Sequence, residues 1–217
     1  MVPTLSRRAL LILLLSGALL TYASKQFVMP VAREAQTYPA HDVHGNENVT
    51  VAADPYDTEG KASVFTQKYA QNQILPIFVV VTNGGDQPIA LENMTLQLVT
   101  QNDSKIQPAN LDDLYRRFSK LKSRGDEPRR NPLPVPFPKK GPQAGVNSKA
   151  INEFNAAMFR ARAVEPHSSH AGFFFFDIEG ISQPLTGAHL YVTGIHDNNG
   201  QELMYLDIPL DKYLDSK

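Results

Sequence analysis

The chain of 217 residues contains no cysteine and has a formal net charge of −1 at pH 7. The absence of cysteine excludes a disulfide framework, a lipid-attachment cysteine and thiolate chemistry. The near-zero net charge excludes neither an acidic nor a basic surface, because charge can be distributed unevenly along a chain.

The first 23 residues have the pattern of an export signal. Arg7 and Arg8 precede an apolar stretch from Ala9 to Leu20, which suits the hydrophobic region of a secretory signal and is shorter than the ~20 residues that span a bilayer. The pattern is compatible with a cleaved signal peptide or with an uncleaved N-terminal membrane anchor. We therefore expect an exported protein that is periplasmic, extracellular or tethered to the outer face of the cytoplasmic membrane, with residues 24–217 forming one domain.

Strand patterns dominate the chain after this leader. Ile74 to Val81 is continuously apolar and β-branched, as expected of a strand buried on both faces. Apolar residues then alternate from Ile89 to Leu98, but the alternation slips by one residue at Glu92–Asn93, which predicts a β-bulge. The last two of three further strands are joined by a predicted hairpin at Asn199–Gly200. These three strands are predicted at Ala171–Ile178, Leu190–Ile195 and Leu203–Leu210.

Short strands without βαβ alternation predict a mainly β fold, specifically an antiparallel β-sandwich. Residues 104–164 interrupt the pattern with a helix, a proline-rich link and a second helix. In the first helix Leu111, Leu114 and Phe118 share one face and Asn110 is the predicted N-cap. The second helix is predicted from about Ser148 to Ala163. This block is expected to be an insertion between two strands of the sandwich.

The insertion is strongly basic. Residues 104–164 contain 13 Lys/Arg and 5 Asp/Glu, whereas the rest of the chain after Ala23 contains 6 basic and 17 acidic residues. Such asymmetry predicts an interaction surface for an acidic protein or an anionic membrane face. Docking of the insertion on its own acidic sandwich is an equally open interpretation. The candidate residues, called the basic surface below, are Arg116, Arg117, Lys120, Lys122, Arg129, Arg130, Lys139 and Lys140.

Four consecutive phenylalanines, Phe173 to Phe176, lie in one of the predicted strands. Side chains alternate between the two faces of a strand, so two of the four must face away from the core of the sandwich. Either the inserted helices cover this outer pair, or the pair forms an exposed aromatic patch for a partner.

Two stretches carry a family resemblance. Pro76 to Leu91 (PIFVVVTNGGDQPIAL) leads from a buried strand through Thr-Asn into a Gly/Asp turn, and Val164 to Phe176 (VEPHSSHAGFFFF) leads into an aromatic strand before the closing ELMYLDIPL. This arrangement resembles the telokin-like, immunoglobulin-fold domains of unknown function in secreted bacterial proteins. It is also similar in outline to the water-stress and hypersensitive-response modules. The resemblance leaves out the helical insertion, and it implies an immunoglobulin-like fold with no catalytic residue.

Histidines suggest the only alternative chemistry. His41 and His44, with Asp42 and Glu47 nearby, have the residue types of a metal site, but side chains three apart in an extended segment point to opposite faces. Further ligands could come from a second loop pair. That pair is His167 and His170.

The favoured hypothesis is a non-catalytic envelope module that needs no cofactor and binds a protein partner or envelope component through the basic surface and the adjoining aromatic strand. One rival is a hydrolase or metal-dependent enzyme that uses the loop histidines; another is a purely structural envelope domain. A nucleic-acid partner is not expected, because an exported protein is separated from the nucleic acids of the cell. In addition, no stacking aromatics are interleaved with the basic residues.

Overall fold

The computed structural model describes residues 26–114, 116–118 and 148–217. The predicted leader, residues 1–23, lies outside these ranges. The described chain is mainly β, and its strands pair in antiparallel fashion. The strands are β1 (His41–His44), β2 (Val49–Pro55), β3 (Ile74–Asn83), β4 (Ile89–Ala90), β5 (Thr95–Val99), β6 (Lys105–Ile106), β7 (Ala163–Val164), β8 (Ser168–Asp177), β9 (His189–Thr193) and β10 (Leu206–Pro209).

The first sheet has the strand order β1-β2-β3-β8. Its longest pairing joins β3 and β8 over ten residues, from Ile74 opposite Asp177 to Asn83 opposite Ser168. Every residue from Ile74 to Val81 is buried, which confirms the prediction of a strand covered on both faces.

The second sheet has the strand order β10-β9-β5-β6. The predicted hairpin between the last two strands is confirmed, with Leu206 opposite Val192. Gly200 adopts φ +79° in the turn, where its amide donates to the Asp197 carbonyl over 3.1 Å. β10 is shorter than the predicted Leu203–Leu210, because it begins at Leu206; Met204 and Tyr205 before it are exposed.

The inner faces of the two sheets share an apolar core. Because side chains alternate along each strand, the core takes every second residue of the strands that face each other. Its strand residues include Val49, Val51, Leu75, Ile77, Val79 and Val81 from the first sheet, and Leu96, Leu98, Leu190, Val192, Leu206 and Ile208 from the second.

A second apolar cluster, called the aromatic layer below, covers the outer face of the first sheet. The sheet contributes Ala52, Ile74, Phe78, Val80, Phe173 and Phe175, and the covering residues include Tyr38, Tyr56, Phe65, Tyr69, Leu114, Phe154 and Ala157.

The predicted bulge at Glu92–Asn93 is wrong, because the chain changes sheets there. β4 pairs with β7, whereas β5 belongs to the second sheet. A tight turn joins the two strands, in which the Met94 amide donates to the Leu91 carbonyl over 3.0 Å. The slip in apolar alternation therefore marks two separate strands that face the core from different positions.

Helical segments are short. They are α1 (Glu59–Ala62), α2 (residues 111–114 and 116–118), α3 (Ser148–Ala157) and α4 (Asp211–Leu214). The predicted second helix of the insertion ends earlier than Ala163, because the chain after Ala157 runs beside β8. There the Phe159 amide donates to the Phe173 carbonyl over 3.1 Å. Within the described ranges, no helix is long and apolar enough to cross a membrane.

Candidate interaction surface

Helix α2 begins at the N-cap that the sequence predicts. The Asn110 side chain accepts a hydrogen bond from the Asp113 amide over 2.9 Å, and the Asp113 carboxylate accepts one from the Asn110 amide over 3.1 Å. This reciprocal pair satisfies two amides at the helix N-terminus, and the acidic side chain lies at the positive end of the helix dipole.

Apolar contacts fix α2 to the aromatic layer. Leu114 is buried, and the ring of Phe118 lies 5.6 Å from that of Tyr69 in an edge-on arrangement. The chain before the helix is also held by the sheet, since the Ala109 amide donates to the Phe175 carbonyl over 2.7 Å. The start of the predicted insertion is therefore part of the packed protein.

Helix α3 packs on the same layer from the other end of the insertion. Phe154 is buried and its ring lies 4.7 Å from that of Phe175. Glu153, next to it, is only 5% exposed. Its carboxylate accepts hydrogen bonds from the amides of Thr66 and Gln67 over 2.7 and 3.1 Å, and it also bonds the Thr66 hydroxyl.

The outer pair of phenylalanines is covered, but the inserted helices cover only part of it. Phe154 of α3 contacts Phe175. The rings around Phe173 include Phe27, Tyr56 and Phe65 from outside the insertion. Phe173 and Phe175 are each 1% exposed within the aromatic layer, while Phe176 is buried in the core between the sheets. Phe174 is partly buried and stacks on Phe159 with ring centroids 5.5 Å apart. The alternative, in which this outer pair forms an exposed aromatic patch, is wrong.

Two members of the basic surface lie in described residues, and they have opposite environments. The side chain of Arg116 is 68% exposed and pairs with Asp113 on its own helix. The side chain of Arg117 is 11% exposed. Its guanidinium donates to Asp177 through Nε over 2.7 Å and lies 2.5 Å from the Glu179 carboxylate. The other six, Lys120, Lys122, Arg129, Arg130, Lys139 and Lys140, lie outside the described residues.

The contacts of Arg117 stabilise its charged form. Burial alone would lower the pKa of Arg117, but the hydrogen bonds to Asp177 and Glu179 outweigh burial and raise the pKa above its ordinary value. Arg117 thus joins α2 to the loop after β8, and its charge is already neutralised within the protein.

Charge is divided between the described residues and the segment that connects α2 to α3. The described residues include 11 Lys/Arg and 20 Asp/Glu, whereas residues 119–147 contain seven Lys/Arg and two Asp/Glu. An acidic body therefore carries a short basic segment between two packed helices.

The two histidine pairs do not come together. His41 and His44 lie on β1, while His170 lies on β8 and His167 directly precedes it. Two strands separate β1 from β8, and strands lie ~4.8 Å apart, so the pairs are separated by roughly 14 Å.

His167 and His170 each lie beside a carboxylate instead. His167 Nε2 lies 2.9 Å from the Asp86 carboxylate, and His170 Nε2 lies 2.9 Å from Glu165. The interaction with His170 lowers the pKa of Glu165. Across the part of the chain that the structure describes, no group of three His, Cys, Asp or Glu side chains has a metal-binding arrangement.

Sequence reasoning missed the acidic residues that tie the insertion to the rest of the protein. Glu153 was an ordinary residue of a predicted helix, and its amide partners lie 86 and 87 positions away in sequence. Asp177 is the last residue of β8 and Glu179 lies just after it, where acidic residues normally mark only a strand end. No local signal in the sequence links them to Arg117.

Comparisons with known proteins identify no family. No family model and no curated protein matches the chain. Among solved structures, it is similar to a conserved hypothetical protein from Bacillus anthracis at 12% sequence identity, with a TM-score of 0.29. That alignment covers 75% of this chain and 93% of the other.

Proposed function

We propose that the chain is an exported, non-catalytic envelope module, built on an immunoglobulin-like sandwich, that binds an anionic partner through its basic surface. Two antiparallel sheets with a shared core support the sandwich. The charged and apolar pattern of residues 1–23 supports export to the periplasm, the cell exterior or the outer face of the cytoplasmic membrane.

The observation that carries the proposal is the opposite environment of two adjacent arginines. Helix α2 directs Arg117 inward to Asp177 and Glu179, which accounts for that charge within the fold. Arg116 points outward, and most of its side chain is exposed. The basic residues that follow in sequence outnumber the acidic ones, so an anionic partner is the chemistry that this surface favours.

The experiment compares two triple variants of equal charge change. One replaces Arg116, Lys120 and Lys122 with glutamine. The matched control replaces exposed lysines elsewhere. These are Lys68, Lys105 and Lys212.

Each protein is used to recover partners from envelope extract, and separately to bind vesicles that contain anionic lipid. A partner retained by the native chain and the control, but lost by the first variant, supports the proposal. Loss of vesicle binding in the same pattern identifies lipid headgroups as the source of negative charge. Equal recovery by all three proteins contradicts the proposal.

A structural envelope domain is the second candidate, and the internal ion pairs favour it. Besides Arg117, Arg162 pairs with Glu92 at 2.6 Å, so both ends of the insertion are tied to acidic residues of the body. For this function, Arg117→Gln should lower the free energy of unfolding, because it removes the pairs with Asp177 and Glu179, while the triple variant should lose no recovered partner. Chemical denaturation of Arg117→Gln and partner recovery by the triple variant separate the two functions.

A further inference from the structure

A polar cleft of about 350 Å³ lies at one end of the first sheet. One row of paired residues crosses its floor, one residue from each strand: Val43, Thr50, Thr82 and Ser169. Because neighbouring strands lie ~4.8 Å apart, three hydroxyl groups repeat at that spacing beside one apolar side chain. The volume falls within the ~300–1,000 Å³ of ligand pockets.

This cleft is separate from the described part of the basic surface. Arg117 pairs with Asp177, which lies eight residues along β8 from Ser169. At ~3.3 Å per residue, roughly 26 Å separates the two positions. The cleft is called the hydroxyl cleft below.

Thr50 is the residue that points to a ligand. It is 9% exposed and lines the hydroxyl cleft, and its hydroxyl makes no hydrogen bond with any side chain or amide of the described residues. The neighbouring Thr82 hydroxyl accepts from the Ala35 amide over 2.9 Å and lies 2.7 Å from the Ser169 hydroxyl. The Thr50 hydroxyl is not one of the buried polar atoms that lack a partner, so it is accessible from the cleft and can donate and accept hydrogen bonds with a ligand.

The lining selects the kind of ligand. Among the described residues that line the cleft there is no lysine or arginine, so an anion finds no countercharge. Seven of the twelve lining residues carry hydroxyl or amide side chains, and Glu34 and His167 are the titratable residues among them. Val43, whose surface is 50% exposed, adds one apolar wall. Hydrogen-bonding groups around one apolar contact match a sugar ring, which carries hydroxyls at its edge and C–H groups on its faces.

We propose that the hydroxyl cleft is a binding site for a neutral carbohydrate unit. The Thr50 hydroxyl bonds a sugar hydroxyl, the Gln36 amide bonds another, and Val43 packs against the face of the ring. This site goes beyond the proposed function, because it needs neither the basic surface nor an anionic partner.

The test is an NMR titration that follows the amide resonances of the full chain labelled with ¹⁵N. The probes are glucose, galactose, mannose, N-acetylglucosamine, cellobiose and chitobiose, each titrated to about 50 mM, a range that detects millimolar affinity. We expect at least one sugar to give saturable shifts confined to residues around Thr50, Thr82 and Ser169.

Three variants sharpen the test. Thr50→Val keeps the branched shape and removes the hydroxyl, so we expect affinity for that sugar to fall about fivefold or more. Gln36→Ala, at an exposed position, should weaken binding by a similar factor and guards against a folding defect in the first variant. Thr95→Val is the matched control, since Thr95 is exposed on the second sheet and bonds Thr193 at 2.8 Å; its affinity should not change.

Several results overturn the inference. The absence of saturable shifts with all six sugars does so, as do shifts that map outside the hydroxyl cleft. Inorganic phosphate that produces the same shifts as the sugar would show that the cleft is an anion site instead. Unchanged sugar affinity in both Thr50→Val and Gln36→Ala would remove the assigned contacts.

Discussion

The two ends of the β3–β8 pair share one ladder of hydrogen bonds, yet they lie in opposite environments. At one end Phe173 and Phe175 are each 1% exposed within the aromatic layer. At the other end Thr82 and Ser169 face a polar cleft. The pairing is antiparallel throughout, so backbone geometry does not create the difference. The side chains decide which end of the sheet the insertion covers, because burial of aromatic rings drives docking and burial of hydroxyls opposes it.

The largest expected effect comes from removing an aromatic ring at the covered end. Phe175→Ala should lower the free energy of unfolding by about 4 kcal/mol, because it leaves a cavity among the rings of Phe154, Phe65 and Tyr69. Urea denaturation followed by circular dichroism measures the loss. A loss below about 1 kcal/mol would show that the aromatic layer is not a firmly packed core.

Substitution of Gly172 tests how closely the chain after α3 approaches β8. A Cβ atom at this position would lie 2.3 Å from Cα and 2.6 Å from N of Phe159, and backbone atoms cannot give way as a flexible side chain can. Gly172→Ala should therefore cost about 3 kcal/mol in the same denaturation experiment. Gly60→Ala is the control, since Gly60 lies in α1 with nothing within 4 Å of the added atom. An equal, small effect of both changes would contradict this close approach of Phe159 to Gly172.

Removal of the Tyr69 hydroxyl, unlike the two changes above, should not lower the free energy of unfolding. Burial, and next the charge of the nearby Glu153 carboxylate, raise the pKa of this hydroxyl. It makes no hydrogen bond of acceptable geometry in the described structure, so Tyr69→Phe should leave stability at neutral pH unchanged or raise it by about 1 kcal/mol. Tyr205→Phe, at a position 55% exposed, should have no measurable effect. Destabilisation by Tyr69→Phe in urea would show that the hydroxyl is bonded after all.

Two tyrosines of the aromatic layer, Tyr56 and Tyr69, predict a loss of stability in alkali. Burial, and next the charge of Asp54, raise the pKa of Tyr56 from 10.0 to about 12, and burial raises the pKa of Tyr69 in the same direction. Above pH 10 the unfolded chain binds fewer protons than the folded one, so the free energy of unfolding falls as pH rises toward about 12. Denaturation series across this range should show the fall, and it should be smaller in Tyr69→Phe.

The smallest effect is expected at the polar end of the same strand. Ser169→Ala removes a hydroxyl that lies 2.7 Å from the Thr82 hydroxyl, which keeps its bond from the Ala35 amide. The cost should therefore stay below about 1 kcal/mol by urea denaturation. A cost equal to that of Phe175→Ala would end the distinction between the two ends of the β3–β8 pair.

Local patterns were enough to predict several elements. The continuous apolar run gave Ile74–Val81 as a doubly buried strand, Asn199–Gly200 gave the hairpin, and Asn110 gave the start of α2. Each of these depends on residues within a few positions, where side-chain periodicity and backbone preference act directly. The immunoglobulin-like topology stays a prediction.

The candidate sites were less accessible to sequence reasoning. Charge composition predicted a basic surface, but it assigned Arg116 and Arg117 the same role, and the structure separates them. The slip in apolar alternation at Glu92–Asn93 was interpreted as a bulge, whereas the chain changes sheets at that point. The hydroxyl cleft was not predicted, because Thr50, Thr82 and Ser169 carry no motif and lie on three strands.

The sequence by itself determined which segments are apolar on one or both faces, where turns and one helix begin, and that basic charge is concentrated in residues 104–164. Only the tertiary structure decided that Phe173 and Phe175 are covered, that Arg117 is neutralised by Asp177 and Glu179, and that hydroxyls from three strands share one cleft. The reason is that periodicity and capping act over a few residues, whereas burial and ion pairing depend on which distant segments meet. That choice is set by strand register and by the packing of α2 and α3 on the first sheet.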